Sequence, residues 1–322
     1  MLSMRARVAV LAGAVVVLGA GAFAYVRSAA DRPAADPAQF ETVSLTPGPR
    51  LLTITDRHLA VVPADNPGGA RTVSAVECVR AYAAAGTGIC LRQSTPWAYR
   101  VVVLDADLHD RRSIDIPGLP NRARVSASGR MVSWTTFVGG DSYTSAGFST
   151  RTGILDTTSG TYVSTLEDFA ITREGRPYRA VDVNFWGVTF AADDTTFYAT
   201  MSTAGHRYLV RGNWPARTVE TLRDNVECPS LSPDGTRIAF KQAIGGDPLK
   251  GWRLSVLTLS TGTVVETAER ESVDDQAAWL DNATLAYTLR RGDGQPDIWT
   301  APADGTGESR LLVPGAESPS PL

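Results

Sequence analysis

Beyond about residue 40, apolar residues fall in short runs separated by clusters of Asp, Asn, Ser, Gly and Pro. Helical periodicity is nearly absent there, so the pattern predicts strands and tight turns. The clearest case is Leu231-Ser232-Pro233-Asp234-Gly235-Thr236-Arg237-Ile238-Ala239-Phe240. It reads as a strand end, a Pro-Asp-Gly turn and a second, apolar strand. Asp and Gly suit such a turn because they tolerate left-handed backbone or bond their own backbone.

Degenerate copies recur. Val125 to Trp134, Phe190 to Ala199 and Ala278 to Tyr287 align on the same window without gaps, and Tyr82 to Leu91 is a weaker copy. The turns at Ala85 and Asp281 are four steps apart, or about 49 residues per step, which is the spacing of a β-propeller blade. The expected architecture is all-β, a six-bladed β-propeller of four-stranded antiparallel blades, preceded by one N-terminal hydrophobic helix. The units are read as 40–73, 76–117, 121–175, 177–225, 226–272 and 273–322. Gly139 to Gly147 and Glu167 to Pro177 read as insertions that lengthen the third unit. In the fifth, strands are expected at 230–232, 237–242, 252–258 and 264–267.

LSPDGTRIAF, together with DIWTAPADGTGESRLL near the C-terminus, resembles the WD-like propeller repeats of TolB-type proteins. The resemblance covers most of residues 50–322 and is sharp in the last two units. It implies the fold strongly and the activity weakly, since this repeat serves many functions. Ring closure is expected in the first blade. Glu317-Ser318-Pro319-Ser320-Pro321-Leu322 echoes Glu227-Cys228-Pro229-Ser230-Leu231-Ser232, so the tail can supply its innermost strand. Glu41 to Leu45 is the competing segment.

The N-terminus departs from this pattern. Arg5 and Arg7 precede an unbroken apolar run from Val8 to Val26. That length suits a membrane-spanning helix with a cytoplasmic N-terminus, and a cleaved signal peptide is the alternative. Residues 1–30 are therefore read as anchor or signal, 31–39 as a flexible tether and 40–322 as the propeller. The expected location is the cell membrane with the propeller outside the cytoplasm, or secretion after cleavage. The Ala-, Gly-, Val- and Arg-rich composition resembles that of actinobacterial envelope proteins. A net charge of -3 gives no nucleic-acid signature.

The three cysteines are Cys78, Cys90 and Cys228. An oxidising compartment permits disulfides. A hairpin centred on Ala84 would set Cys78 opposite Cys90, so a Cys78–Cys90 bond is expected, with Cys228 free and buried.

Catalytic signatures are sparse. His58, His109 and His206 are the only histidines, and no Gly-x-Ser-x-Gly elbow occurs. Gly140-Asp141-Ser142 lacks a matching Asp-x-x-His, and no zinc spacing or phosphate-cradling loop is found. No cofactor is expected. What remains is binding surface on loops. Asp141, Ser142 and Tyr143, Asp247 and Lys250, and Arg291 and Asp293 lie in three loops. Each loop follows the second strand of its unit, so all three should leave one edge. Trp134, Trp186, Trp252, Trp279 and Trp299 read as core between blades. The expected function is a noncatalytic extracytoplasmic propeller that engages a protein or cell-envelope ligand. The alternatives are a propeller-face hydrolase or lyase, and a structural subunit of an envelope complex.

Overall fold

A gradient of burial across each blade explains its strands. Ile238, Ala239, Phe240 and Lys241 are buried in succession, because neighbouring blades cover both faces of an interior strand. The outer strand Asp110–Ile116 is exposed or half-buried except at its last residue. In the computed structural model the described residues are 40–139 and 149–322. The chain divides into Met1–Phe40 and Glu41–Leu322; only Phe40 of the first unit is described. The apolar run Val8–Val26 and its expected helix, and Asp141, Ser142 and Tyr143, lie outside the described residues.

The ring has six sheets. Blade one contains β1 (Arg50–Thr55), β2 (His58–Pro63) and β3 (Thr72–Glu77). Blade two runs β4 (Arg80–Ala84), β5 (Thr87–Thr95), β6 (Ala98–Leu104) and β7 (Asp110–Ile116). Blade three runs β8 (Leu119–Val125), β9 (Met131–Val138), β10 (Ser149–Asp156) and β11 (Tyr162–Val163). A hairpin follows, β12 (Ala170–Arg173) and β13 (Arg176–Tyr178). Blade four runs β14 (Asn184–Phe190), β15 (Thr196–Thr203), β16 (His206–Asn213) and β17 (Thr218–Arg223). Blade five runs β18 (Glu227–Leu231), β19 (Arg237–Ala243), β20 (Trp252–Thr258) and β21 (Val264–Glu266). Blade six runs β22 (Ala278–Trp279), β23 (Thr284–Arg290), β24 (Pro296–Pro302) and β25 (Arg310–Val313), and β26 (Glu317–Pro321) is the tail.

The tail closes the ring. β26 pairs antiparallel with β1, Leu51 opposite Pro321 and Leu52 opposite Ser320. Glu41–Leu45 forms no strand there. Instead it straps blades one and two, with Glu41 N donating to Val73 O at 2.8 Å and Leu45 N to Ala106 O at 2.7 Å. Val43 and Leu45 join Leu52, Ile54, Ala83 and Val102 in the core between these blades.

Two local expectations are corrected. Residues 167–177 do not lengthen blade three: β12 pairs parallel with β17, so the hairpin widens blade four to six strands. Blade four proper starts at Asn184, not near Pro177. The β4–β5 hairpin turns at Ala85-Gly86, both with positive φ. Its register therefore sets Cys90 opposite Ala81 rather than Cys78. Cys78 lies just before β4 and is bonded to Cys90 with Cα atoms 5.4 Å apart. Cys228 is free and buried.

Successive connections of an antiparallel blade alternate between two faces of the ring. Turns between first and second strands, such as Ser232 to Thr236, lie on one side, the turn face. The loops following second strands lie on the other, the mouth face. The repeated turns interlock: Ser128 Oγ donates to Asp194 at 2.7 Å, linking blades three and four, and Asp234 N donates to Asn282 Oδ1 at 3.0 Å, linking blades five and six.

Candidate functional site

The mouth face opens on a two-lobed cleft around the central axis. Arg122, on β8, lines both lobes. It is buried and reaches across the axis to blade six, where Nη2 lies 3.3 Å from Asp274 Oδ1 and 3.3 Å from its carbonyl. Burial opposes its charge, but Cys228, Asp275 and Asp274 outweigh that and raise its pKa. Two residues on, Arg124 spans the channel in the same way, donating to Ala277 O at 3.1 Å. Gln276 Nε2 bonds Pro229 O at 2.7 Å and Val188 O at 3.0 Å. These three side chains plug the channel and leave a separate funnel on each face.

One lobe, of about 520 Å³, is polar and is lined by Arg80, Asp275, Thr288, Arg290 and Arg291, among others. Glu317 organises its edge, its Oε2 accepting from Arg80 at 2.6 Å and from Arg290 at 2.8 Å. The other lobe, of about 460 Å³, has Phe137, Trp186, Pro248 and Trp252 in its walls. Its base is the ionic cluster of Glu227, Arg207, Lys241 and Asp274. Arg207 Nε lies 2.6 Å from Glu227, and Lys241 Nζ is 3.4 Å from Glu227 and 2.5 Å from Asp274. Lys241 Nζ also sits 4.1 Å from the Trp252 ring centroid, a favourable cation–π position. Burial raises the Glu227 carboxyl, and Lys241 and Arg207 offset this only in part. For Lys241, burial opposes the charge, but Cys228, Asp274 and Glu227 prevail and raise its pKa.

The echo between the fifth unit and the tail has a structural basis. Cys228 and Ser318 both have positive φ, 49° and 58°, at register shifts in β18 and β26. Such bulges re-aim neighbouring side chains. Here each sets a preceding glutamate, Glu227 or Glu317, between two cations at the mouth.

No protein-family profile matches the chain. A stretch of 87 residues is 32% identical to a protein TolB homolog from Chlorobaculum tepidum, covering 27% of this chain and 19% of that protein. The crystal structure of TolB from Acinetobacter baumannii matches with a TM-score of 0.62 at 15% identity, over 85% of this chain and 67% of that one. The chain is a TolB-like six-bladed β-propeller. A chain of a nidogen–laminin complex shares the fold with a TM-score of 0.56 at 12% identity, over 85% of this chain and 99% of that one, so the likeness alone assigns no activity.

The TolB-like propeller brings only some of the sequence-expected residues to the cleft. Arg291 lines the polar lobe, its Nε 3.1 Å from Asp297. Asp293 is spent on its own turn, accepting from Gln295 N at 2.9 Å. Asp247 caps the short 3-10 turn Pro248–Lys250, accepting from Leu249 N at 3.0 Å. Trp134 and Trp279 are buried as core, whereas Trp186 and Trp252 line the cleft and Trp299 borders the polar lobe. Arg122, Lys241, Glu227 and Asp274 carry the cleft, and none of them was expected as a binding residue. The repeated Glu-Cys/Ser-Pro-Ser motif was the available signal for Glu227. Among the described residues, no group of three or more His, Cys, Asp or Glu is arranged to hold a metal ion, and no helix is long and apolar enough to cross a membrane.

Proposed function

We propose that this TolB-like propeller is a noncatalytic binding module working outside the cytoplasm, and that it docks a protein partner on its mouth face. One observation carries this reading. Among the described residues nine large hydrophobic side chains are exposed, and five of them, Trp97, Leu119, Phe137, Val181 and Leu249, belong to connections on the mouth face or strand ends beside them. Three are almost fully bare: Trp97 at 92%, Val181 at 89% and Leu249 at 97%. The other four, Tyr162, Leu222, Val265 and Leu311, lie on the fourth strands β11, β17, β21 and β25, away from the central axis. Apolar side chains gathered on one face around a cleft mark interaction surfaces. The Cys78–Cys90 bond supports an oxidising compartment, and the apolar run Val8–Val26 supports attachment to a membrane.

The test is co-purification of envelope proteins on residues 36–322, beside a Trp97→Ser/Leu249→Ser double variant. The reading expects a stoichiometric partner that the variant loses while its melting temperature is kept. Equal capture by both proteins, or turnover of peptide or glycan substrates by residues 36–322, would overturn it.

A further inference from the structure

The turn-face funnel lies on the opposite side of the plug from the cleft, and its electrostatics are different. Its base is Arg124, which is 5% exposed. The guanidinium stacks 4.3 Å from the Tyr82 ring centroid. Its Nη2 donates to the carbonyls of Ala277 at 3.1 Å and Gln276 at 3.5 Å. The buried Nε has no hydrogen-bond partner. Among the described residues no carboxylate lies within ion-pair distance of Arg124, although Arg122, two residues earlier on β8, has Asp274. A buried charge without a counterion is costly, and peptide carbonyls and a ring face compensate it only in part.

The funnel above this cation has a volume of about 310 Å³, within the range of small-molecule sites. Tyr82, Tyr198, Phe190 and Trp279 form apolar walls. Asp234 is the acidic residue at the rim, and its carboxylate is already engaged. It accepts from Ser232 Oγ at 2.5 Å, Thr236 N at 3.0 Å and Thr236 Oγ1 at 2.7 Å, and lies 3.4 Å from Arg237. The unmatched charge of the funnel is therefore positive and the surface around it is aromatic.

We propose that this funnel is a second binding site, for a small organic anion. A carboxylate or phosphate group is held by Arg124, and a ring or apolar body packs on Tyr82, Tyr198 and Phe190. The anion supplies the counter-charge that the fold leaves out. The site is independent of partner docking, since it opens on the other face.

The full chain is titrated with benzoate, phenyl phosphate and neutral benzamide, read by calorimetry and by shift in melting temperature. At least one of the two anions binds and raises the melting temperature, and benzamide does neither. Whichever anion binds distinguishes carboxylate from phosphate. Ala127→Trp, at an exposed position on the funnel wall, abolishes the effect; Trp97→Ser leaves it intact. Arg124→Met weakens binding by about tenfold or more, as expected for loss of a charge-assisted contact. If that variant does not fold, the benzamide comparison and Ala127→Trp still decide. Failure of both anions to bind, equal binding of benzamide, or full binding by Ala127→Trp overturns the proposal.

Discussion

Ser320 and Ala83 exchange two hydrogen bonds. The Ser320 hydroxyl accepts from Ala83 N at 3.0 Å and donates to Ala83 O at 2.7 Å. The closing strand β26 is thereby joined to blade two as well as to β1. Ser320→Ala strands a buried backbone N–H and C=O, and is expected to cost about 1–3 kcal/mol in urea unfolding. Deleting Glu317–Leu322 removes the whole strand and should abolish the single cooperative calorimetric transition. An unchanged transition would mean that the ring does not depend on this closure.

Acid should weaken the fold through its turn carboxylates. Asp156 is held well below the usual range by the Arg130 guanidinium, at 3.0 and 2.7 Å, helped by Ser159 and Thr158. Asp234 is lowered by Ser232 and Thr236. A carboxylate with a depressed folded pKa stabilises fully above its unfolded value, 3.8, and loses that contribution as pH falls toward the folded value. Stability is therefore expected to drop below about pH 4. Asp156→Asn should cost about 2 kcal/mol at pH 7, as for hydrogen bonds to a charged group, and should flatten the acid limb measured by urea denaturation.

Gly212 lies opposite Phe197 across β15 and β16, and Gly153 lies opposite Trp134 across β9 and β10. In each pair the ring covers the glycine. A Cβ at Gly212 would sit 2.0 Å from Phe197 Cζ, and one at Gly153 2.2 Å from Trp134 Cζ2. Gly212→Ala should therefore destabilise by about 1–3 kcal/mol, as overpacking does. Gly292, with nothing within 4 Å of its added Cβ, is the control, and Gly292→Ala should change the melting temperature little.

Unfolded, unreduced protein should titrate one thiol, that of Cys228, rather than three. Reduction should lower stability by about 2–3 kcal/mol, the scale for a short closed loop. Three titratable thiols would show that Cys78 and Cys90 do not form the bond in solution.

The sequence legibly carried whatever is local and repeated. The Asp234-Gly235 turn and its relatives are set by backbone preferences that act within a few residues, so they indicated the blades. The Glu317–Pro321 echo of Glu227–Leu231 was equally legible, because the same bulge with positive φ is built twice. Other features depend on contacts between distant residues. Arg122 meets Asp274 across 152 residues, and nothing near either position announces it. The β12–β13 hairpin looked like an insertion in blade three because its parallel pairing with β17 has no signature in β12 itself. Trp252 and Trp279 are both apolar strand residues by pattern. Pattern alone does not separate Trp252, which lines the mouth-face cleft, from Trp279, which is buried beneath the turn-face funnel.

The strap Glu41–Leu45 and the end of β26 have a practical consequence. Glu41 meets Val73 and Leu45 meets Ala106 at the turn-face side of blades one and two, and Leu322 bonds Arg50 there. Coupling through a handle placed ahead of Phe40 attaches the protein from that side, so a sensor surface prepared this way presents Trp97 and Leu249 to the solution. A handle after Leu322 would crowd Pro321 at the wall of the turn-face funnel and bias any anion titration. Measurements of the two faces therefore call for different immobilisation: amino-terminal capture for partner binding, and label-free protein in solution for the anion.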